Sequence, residues 1–430
     1  MTSHLFKLIY NQRRSNGWIV LELFLIFILI WVLVDFFSVL YLTARTPVGA
    51  DITNTYLVKL SMTPQSSPSF IAYEEGSEEP SRNFQRIVDR IRNHPDIECL
   101  CLGQFYYPYY GGSSSTTLWN DTLKTGANIY HVTKDYFRVF RLYGLNGETP
   151  QELGERLGEK VILTRLGARR LFPGDISPAG KRVYWDEKDS IGSVVMAVLP
   201  DMKQHEYTRP FPVIISLMPE NSWGRMRENR LFSRIGICFR LRSNADRRAF
   251  EASFKDWMQM DAGNYSFSSI VPFKKVRQNL LDAYHISETI QYRVLLTVFF
   301  LLNLFLGVIG TFWFRIEYRR EELGLRMALG ASRRKIQQWL LCESVCLFAV
   351  AFVPALLVCL NIYRMDLLAT ENMDLTVGRF LLDTALSLLL LLPVILLATW
   401  YPAHRSAKIE PAEALLEISD SVVGLWERKQ

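Results

Sequence analysis

The sequence predicts a membrane α-helical protein of four transmembrane helices plus an α+β extracytoplasmic domain set between the first and second. Three observations carry this. Four apolar runs are each long enough to cross a bilayer core of about 30 Å. Basic residues gather at alternate ends of those runs, first at Lys7, Arg13 and Arg14, then between Arg315 and Lys335. Between the first two runs, residues 43–293 change character to short β-rich runs alternating with helical patterns. A chain of 430 residues with 49% hydrophobic and 21% charged residues is too apolar for two soluble domains and too polar for a many-helix carrier. The net charge of +6 is modest and its basic residues sit beside apolar runs, which excludes a nucleic-acid stripe.

In chain order, 1–17 is a cytoplasmic tail and 18–42 the first span, an uncleaved anchor because it outlasts a signal-peptide core. Glu22 and Asp35 interrupt it. An intramembrane carboxylate is a functional candidate, so Asp35 is one; the other reading places it at an interface or facing a helix partner. Further on, Thr55–Met62, a helix over 81–92 and a strand over 97–102 make one β-α-β unit. Ile235–Leu241, a helix over 245–258 with Asn244 as its N-cap, and Tyr265–Val271 make the second. The stretch between them, about 128–230, is richer in strand and turn signals.

A Tyr-rich loop, Phe105–Thr117, is the most unusual surface feature. Its Tyr106, Tyr107, Tyr109 and Tyr110 are candidates for contacting a substrate, a lipid or a partner; the alternative is packing against their own domain. Cys99 and Cys101 share a strand face, so they are poorly placed to bridge each other; a bridge from either to Cys238 stays open. Six cysteines, three of them (Cys342, Cys346, Cys359) in one apolar run, make no disulfide scaffold.

Lys274–Arg293 reads as an amphipathic stalk helix continuing unbroken into the second span, 294–314. A third span covers 337–363 and a fourth 380–400. The loop 364–379 between them carries Asp366, Glu371 and Asp374, as expected outside, and the tail 401–430 is basic again at Arg405 and Lys408. The intervening 315–336 is a basic, amphipathic helix-forming stretch. Leu323, Leu325, Met327 and Leu329 supply its apolar side; Gly330 ends it in a left-handed C′ position, and Ser332 caps the next helix. Physics alone also allows an ordinary positive-inside loop here.

No Gly-x-x-x-x-Gly-Lys-Ser/Thr run is found, and no His-Glu-x-x-His, paired Cys-x-x-Cys or nucleophile elbow. The six histidines are scattered. No catalytic, metal or cofactor residue is therefore expected. Asp35 and Glu343 suggest no polar relay, which argues against an ion-coupled carrier.

Two motifs carry a resemblance. The run Arg319-x-x-Glu322-Leu323-Gly324-Leu325-Arg326-x-Ala328-Leu329-Gly330-Ala331-Ser332 resembles the signature loop of the FtsX-like/MacB-like permease family of ABC transporters. The run Tyr401-Pro402-Ala403-His404-Arg405-Ser406-Ala407-Lys408-Ile409-Glu410-Pro411-Ala412-Glu413-Ala414-Leu415 resembles that family's terminal motif, and Glu159–Arg182 a recurrent outer-domain segment. The resemblance implies that the two β-α-β halves (about 55–127 and 231–272) are split units of one subdomain, with a β-rich insert at about 128–230. It implies that 315–336 is a coupling helix docking on a cytoplasmic ATPase through Glu322, Gly324, Leu325, Arg326, Leu329, Gly330, Ala331 and Ser332. In the terminal motif, Tyr401, Pro402, Ala403, Pro411, Ala414 and Leu415 are the matching positions.

The resemblance further implies a permease subunit of the bacterial inner membrane with both termini cytoplasmic. The sequence departs from MacB-type exporters, which carry a fused N-terminal ATPase, and from relatives that duplicate the four-span unit, so a single four-span copy with a separate ATPase is expected. ATP and Mg would sit on the partner ATPase. A second copy or sister permease would complete a dimer, with membrane lipid and a periplasmic or outer-membrane protein as further partners. The expected function is mechanotransmission for export or extraction of a peptide, antibiotic, lipid or lipoprotein. The alternative is an interaction subunit that switches a periplasmic hydrolase or a sensor kinase.

Overall fold

The computed structural model describes residues 13–104, 106–120, 123–174, 178–218, 235–260, 262–318, 320–365, 367–368 and 373–406. The chain divides into two units, Met1–Leu42 with Thr289–Gln430, and Thr43–Glu288.

In the first unit, α1 (Arg13–Arg45), α8 (Ile286–Tyr318), α10 (Arg333–Arg364) and α11 (Val377–Ser406) are the long helices, and α9 (Arg320–Ala328) is short. The four long ones are long and apolar enough to cross a membrane. Along α1, Ile19, Leu23, Phe27, Ile30, Trp31 and Val34 form one buried stripe at three- and four-residue spacing. It packs with Leu347, Phe348, Ala351, Ala355 and Cys359 of α10 and with Leu391, Ile395 and Ala398 of α11. Small residues at Ala351, Ala355 and Ala398 let helices approach closely, the usual source of association where water supplies no hydrophobic drive. Phe27 and Phe352 meet edge to face at 5.0 Å. Pro354, Pro393 and Pro402 lie inside helices, as neighbouring groups in a membrane bundle permit. From α8, Val308 alone is buried in this cluster among the described residues, while Leu295, Phe299, Leu302 and Leu306 are exposed.

Two expectations for the membrane unit are corrected. Asp35 is buried and meets the Arg379 guanidinium through both carboxylate oxygens, at 2.7 and 2.9 Å. Arg379 therefore belongs to α11 and its interior, not to an outer loop ending at 379. The fourth helix also continues past 400 to Ser406, so Tyr401, Pro402 and Ala403 are helical rather than tail.

The second unit contains a mixed sheet of ten strands among the described residues. These are β1 (Thr55–Met62), β2 (Ile97–Gln104), β3 (Ser115–Asn120), β4 (Leu123–Val132), β5 (Val161–Thr164), β6 (Arg182–Val183), β7 (Ser193–Leu199), β8 (Val213–Leu217), β9 (Ile235–Leu241) and β10 (Tyr265–Pro272). The order is β10-β1-β9-β2-β4-β8-β5-β7-β6, with β3 hairpinned onto β4. β9 lies between β1 and β2, antiparallel to both, and β1 lies between β9 and β10. Strand alternation sorts side chains to two faces. Tyr56, Val58, Leu100 and Leu102 join α2 (Glu79–Arg92) and α6 (Arg247–Trp257) on one face, through Phe84, Ile87, Val88, Phe250 and Phe254. Leu57, Cys99, Cys101 and Cys238 turn to the other, among Tyr136, Phe137 and Phe140 and, from α7 (Phe273–Ala283), Phe273 and Leu280.

The middle segment is not a separate β-rich body. Its strands continue the same sheet through the short β2–β4 pairing Gly103↔Val132 and Gln104↔His131. It also contributes helices α3 (Tyr136–Val139), α4 (Pro150–Leu157) and α5 (Arg165–Leu171). The N-cap of α6 is Asp246, whose carboxylate accepts from Arg248 N at 2.9 Å and from Ala249 N, so Asn244 does not have that role. The expected unbroken stalk is broken. α7 stops at Ala283 and α8 starts at Ile286, with His285 between them at φ 53. No glycine or proline signals this. Tyr284 is held instead by its hydroxyl, which donates to Gly111 O at 2.9 Å, and histidine is among the residues that tolerate a left-handed backbone.

Candidate functional site

The short helix α9 lies between the apolar helices α8 and α10 and is shaped by its own backbone. Gly330 sits at φ 94 in the C′ position. Gly330 N donates to Met327 O and Ala331 N to Arg326 O, both at 3.0 Å, the paired bonds of a Schellman cap. After two extended residues the chain enters α10. Ser332 holds the N-cap position at φ −69, ψ 149, but its side chain makes no capping bond. Its carbonyl instead accepts from Lys335 N at 2.9 Å and Ile336 N at 3.2 Å. The cap expected of the Ser332 hydroxyl is thus supplied by backbone alone.

One side of α9 is folded down. Leu323 is 2% exposed and clusters with Ile336 and Leu340 of α10 and with Ala403 of α11, while Met327, Ala331 and Trp339 close the edges. Arg326 bonds Glu322 at 2.6 Å and lies over the Trp339 ring, 4.4 Å from its centroid. A guanidinium held between a carboxylate and an indole face is fixed in direction. The other side is bare. Leu325 is 53% and Leu329 80% exposed, beside exposed Ser332, Arg333, Arg334 and Lys335. The single apolar side read from the sequence is two sides: Leu323 and Met327 inward, Leu325 and Leu329 outward. Gly324 and Ala328 are within the helix.

The two motifs meet in this unit. Ala403 is buried in the Leu323 cluster, and Pro402 is buried beside it. Tyr401 stacks near Trp313 of α8 with centroids 6.1 Å apart, and His404 Nδ1 lies 3.0 Å from Gln337 Nε2 of α10. Pro411, Ala414 and Leu415 lie outside the described residues.

The tyrosine loop is placed differently from a surface ligand loop. Tyr106 is buried and stacked on Tyr130, and burial pushes its phenol up to about 12. Tyr107 leans on Phe273 and Tyr110, with centroids at 6.0 and 5.0 Å. Tyr109 is buried at φ 63 and donates to Glu206 Oε1 at 3.0 Å. Tyr110 is half-buried, and its carbonyl accepts from Gln204 at 2.9 Å. Gly236 makes room for this, since a Cβ there would stand 2.6 Å from the Tyr107 ring. The aromatics therefore serve the core of their own domain.

Residues 294–411 match the family model described as FtsX-like permease C-terminal. The chain is similar to FtsX/MacB-like permeases. A probable syringafactin export ATP-binding/permease protein of Pseudomonas syringae pv. tomato is 24% identical over 334 residues, covering 74% of this chain and 47% of that protein. The macrolide export ATP-binding/permease protein MacB of Agrobacterium fabrum is 24% identical over 317 residues, covering 70% of this chain and 45% of its own. The permease thus spans about half the length of the curated relatives it matches. Among solved structures, the periplasmic region of MacB from Actinobacillus actinomycetemcomitans is similar at 15% identity and a TM-score of 0.33, over 55% of this chain and 97% of that one.

Sequence reasoning missed one further arrangement in the permease. Lys203 is buried and donates to Thr43 O at 2.6 Å and Thr46 Oγ1 at 2.7 Å, capping the last turn of α1. Burial lowers the Lys203 ammonium, and Glu206 opposes that shift. Burial also pushes the Glu206 carboxyl up, but bonds from Arg277 and Tyr109 outweigh it and hold the group below its ordinary value. No local pattern announces a lysine that caps a helix 160 residues earlier.

Proposed function

We propose that this permease acts as the membrane subunit of an ABC exporter, with α9 as the plug gripped by a separate cytoplasmic ATPase. The observation that carries the reading is the bare outer side of α9. Leu325 and Leu329 are exposed on a helix whose other side, cap and neighbours are fixed. An apolar pair on a rigid, basic surface suits burial in a partner's groove. In this reading Glu322 and Arg326 set the plug's surface, Gly330 sets its angle to α10, and Ala403 of the terminal motif braces it from behind. ATP and Mg belong to the ATPase, and the permease carries no catalytic residue of its own.

Two permease copies, or one with a sister subunit, would present two plugs to two ATPases. Closure of the ATPases on ATP would draw the plugs together, and the long helices would carry that movement to the Thr43–Glu288 unit. We place that unit outside the cytoplasmic membrane with both termini inside, and read β1-α2-β2 and β9-α6-β10 as its two split β-α-β units. Its cargo would be an envelope substrate such as a peptide, antibiotic, lipid or lipoprotein. The deciding experiment is purification of the tagged permease from native membranes in mild detergent. An ABC ATPase should co-purify, and its turnover should change when permease is added back in bilayers. A permease that recovers no ABC ATPase from native membranes overturns the reading.

A further inference from the structure

We propose that Asp383 binds a proton, which makes the Asp35–Arg379–Asp383 cluster a proton-binding site inside the helix bundle. All three side chains are withdrawn from solvent, at 4%, 3% and 0% exposure for Asp35, Arg379 and Asp383. Through Nε and Nη2 the Arg379 guanidinium donates to the two oxygens of Asp35, and through Nη1 it donates to Met373 O at 2.7 Å. Arg379 thus neutralises Asp35, and among the described residues its hydrogen bonds go to Asp35 and Met373.

Among the described residues Asp383 has one donor: Ser38 Oγ approaches its Oδ1 at 2.5 Å, while Oδ2 is buried without a hydrogen-bond partner among them. The charged neighbours acting on Asp383 are Asp35 from α1 and Arg379 from its own helix. From α10, the near aromatic is Tyr363, whose ring lies 5.4 Å from Phe380. From α8, Arg293 lies over Phe36, and Asp374 before α11 is exposed.

The charges then sum as follows. Asp35 and Arg379 cancel, and an ionised Asp383 would leave one uncompensated negative charge among these buried side chains, with the Ser38 hydroxyl as its donor. An isolated buried carboxylate is among the costliest groups a fold can hold, and in practice such a group takes up a proton. A proton also resolves the geometry. Asp35 is the acidic group that acts on Asp383, and two carboxyls become a hydrogen bond only when one carries hydrogen. A metal cation is a poorer fit, because the fixed guanidinium would repel it and only Asp383 and Ser38 offer spare oxygens. The bound proton then joins α1 to α11 beside the Trp31 Nε1–Thr384 Oγ1 bond of 3.2 Å.

The test is infrared spectroscopy of the full permease in lipid nanodiscs at neutral pH. A protonated-carboxyl C=O band should be present, should shift in heavy water, and should be lost in Asp383→Asn, whose amide keeps the shape and neutrality of the acid. In Ser38→Ala the band should remain but move, because the donor to Oδ1 is gone. Exchange of sodium for choline at fixed pH should leave it unchanged. Absence of the band from folded wild type, or its survival in Asp383→Asn, overturns the proposal. If Asp383→Asn does not fold, a band unmoved in Ser38→Ala does the same. A band that appears only when sodium is withdrawn assigns the site to a metal ion and also overturns it.

Discussion

Leu323 and Leu325 stand two residues apart on α9 in opposite environments, the first 2% exposed against Ile336 and the second 53% exposed. That contrast separates folding from docking within one turn of helix. Leu323→Ala empties a packed position and should cost the membrane unit about 2–5 kcal/mol. Leu325→Asp alters a side chain that is more than half exposed and should change stability by no more than about 0.5 kcal/mol. In the proposed complex, however, it buries an unpaired charge, which costs several kcal/mol. Thermal unfolding should therefore distinguish Leu323→Ala from wild type but not Leu325→Asp, whereas ATPase pull-down should fail for Leu325→Asp. Full retention of ATPase by Leu325→Asp would return 315–336 to an ordinary positive-inside loop.

Gly330 offers a purely conformational test. A Cβ built there meets nothing within 4 Å, so a substitution is opposed only by the backbone angle of 94°. Valine resists the left-handed region strongly and should strain or reopen the cap by about 1–3 kcal/mol. Asparagine tolerates it and should behave nearly as wild type. With the docking leucines intact, Gly330→Val should still recover ATPase but fail to alter its turnover. Equal turnover for the asparagine and valine variants would show that the angle is irrelevant.

The tyrosine loop gives a third separation. Tyr106→Ala removes a buried ring stacked on Tyr130 and should cost about 3 kcal/mol or more. Limited proteolysis of the full permease should then cut the Thr43–Glu288 unit faster. Tyr110→Ala, at a half-buried ring, should do so weakly. A Tyr106→Ala protein as protease-resistant as wild type would restore the loop as a candidate ligand surface.

What the sequence disclosed, and what it withheld, follows from the range of the interactions. The apolar runs, the β-α-β alternation and the Gly330 stop are local signals, and the structure has elements at each of them. The ends of elements are less legible, because Asn244 and Asp246 are equally good caps by type and only the helix phase selects Asp246. The remaining differences all come from distant partners. Arg379 reads as a loop residue until Asp35, 344 positions away, is seen to receive it. The chain break at His285 has no breaker in its own sequence; Tyr284 is fixed by Gly111, 173 positions away. Of the coupling motif, position and phase were readable, but which leucines face out was not. That choice depends on where Ile336, Leu340 and Ala403 arrive.

The last prediction concerns the thiols. Cys101 on β2 stands directly opposite Cys238 on β9, whereas Cys99 is paired with Arg240, so of the two bridges the sequence left open only Cys101–Cys238 has the register for it. In the structure all three are free and buried. Burial pushes the Cys99 thiol up to about 12 and Cys101 well above its ordinary value. Alkylation requires a thiolate that reagent can reach; burial denies access to all three, and in Cys99 and Cys101 it also disfavours the thiolate. In the folded permease Cys99, Cys101 and Cys238 should therefore resist N-ethylmaleimide at neutral pH over hours, and react promptly once the chain is unfolded in denaturant. Peptide mass mapping after pulse labelling measures this for each cysteine. Cys238→Ser should leave Cys101 equally protected, because Cys101's own burial is what protects it. Rapid native labelling of Cys101, in wild type or in Cys238→Ser, would show that this part of the core opens. Recovery of a Cys101–Cys238 disulfide from freshly isolated membranes would show instead that the pair is oxidised where the protein resides.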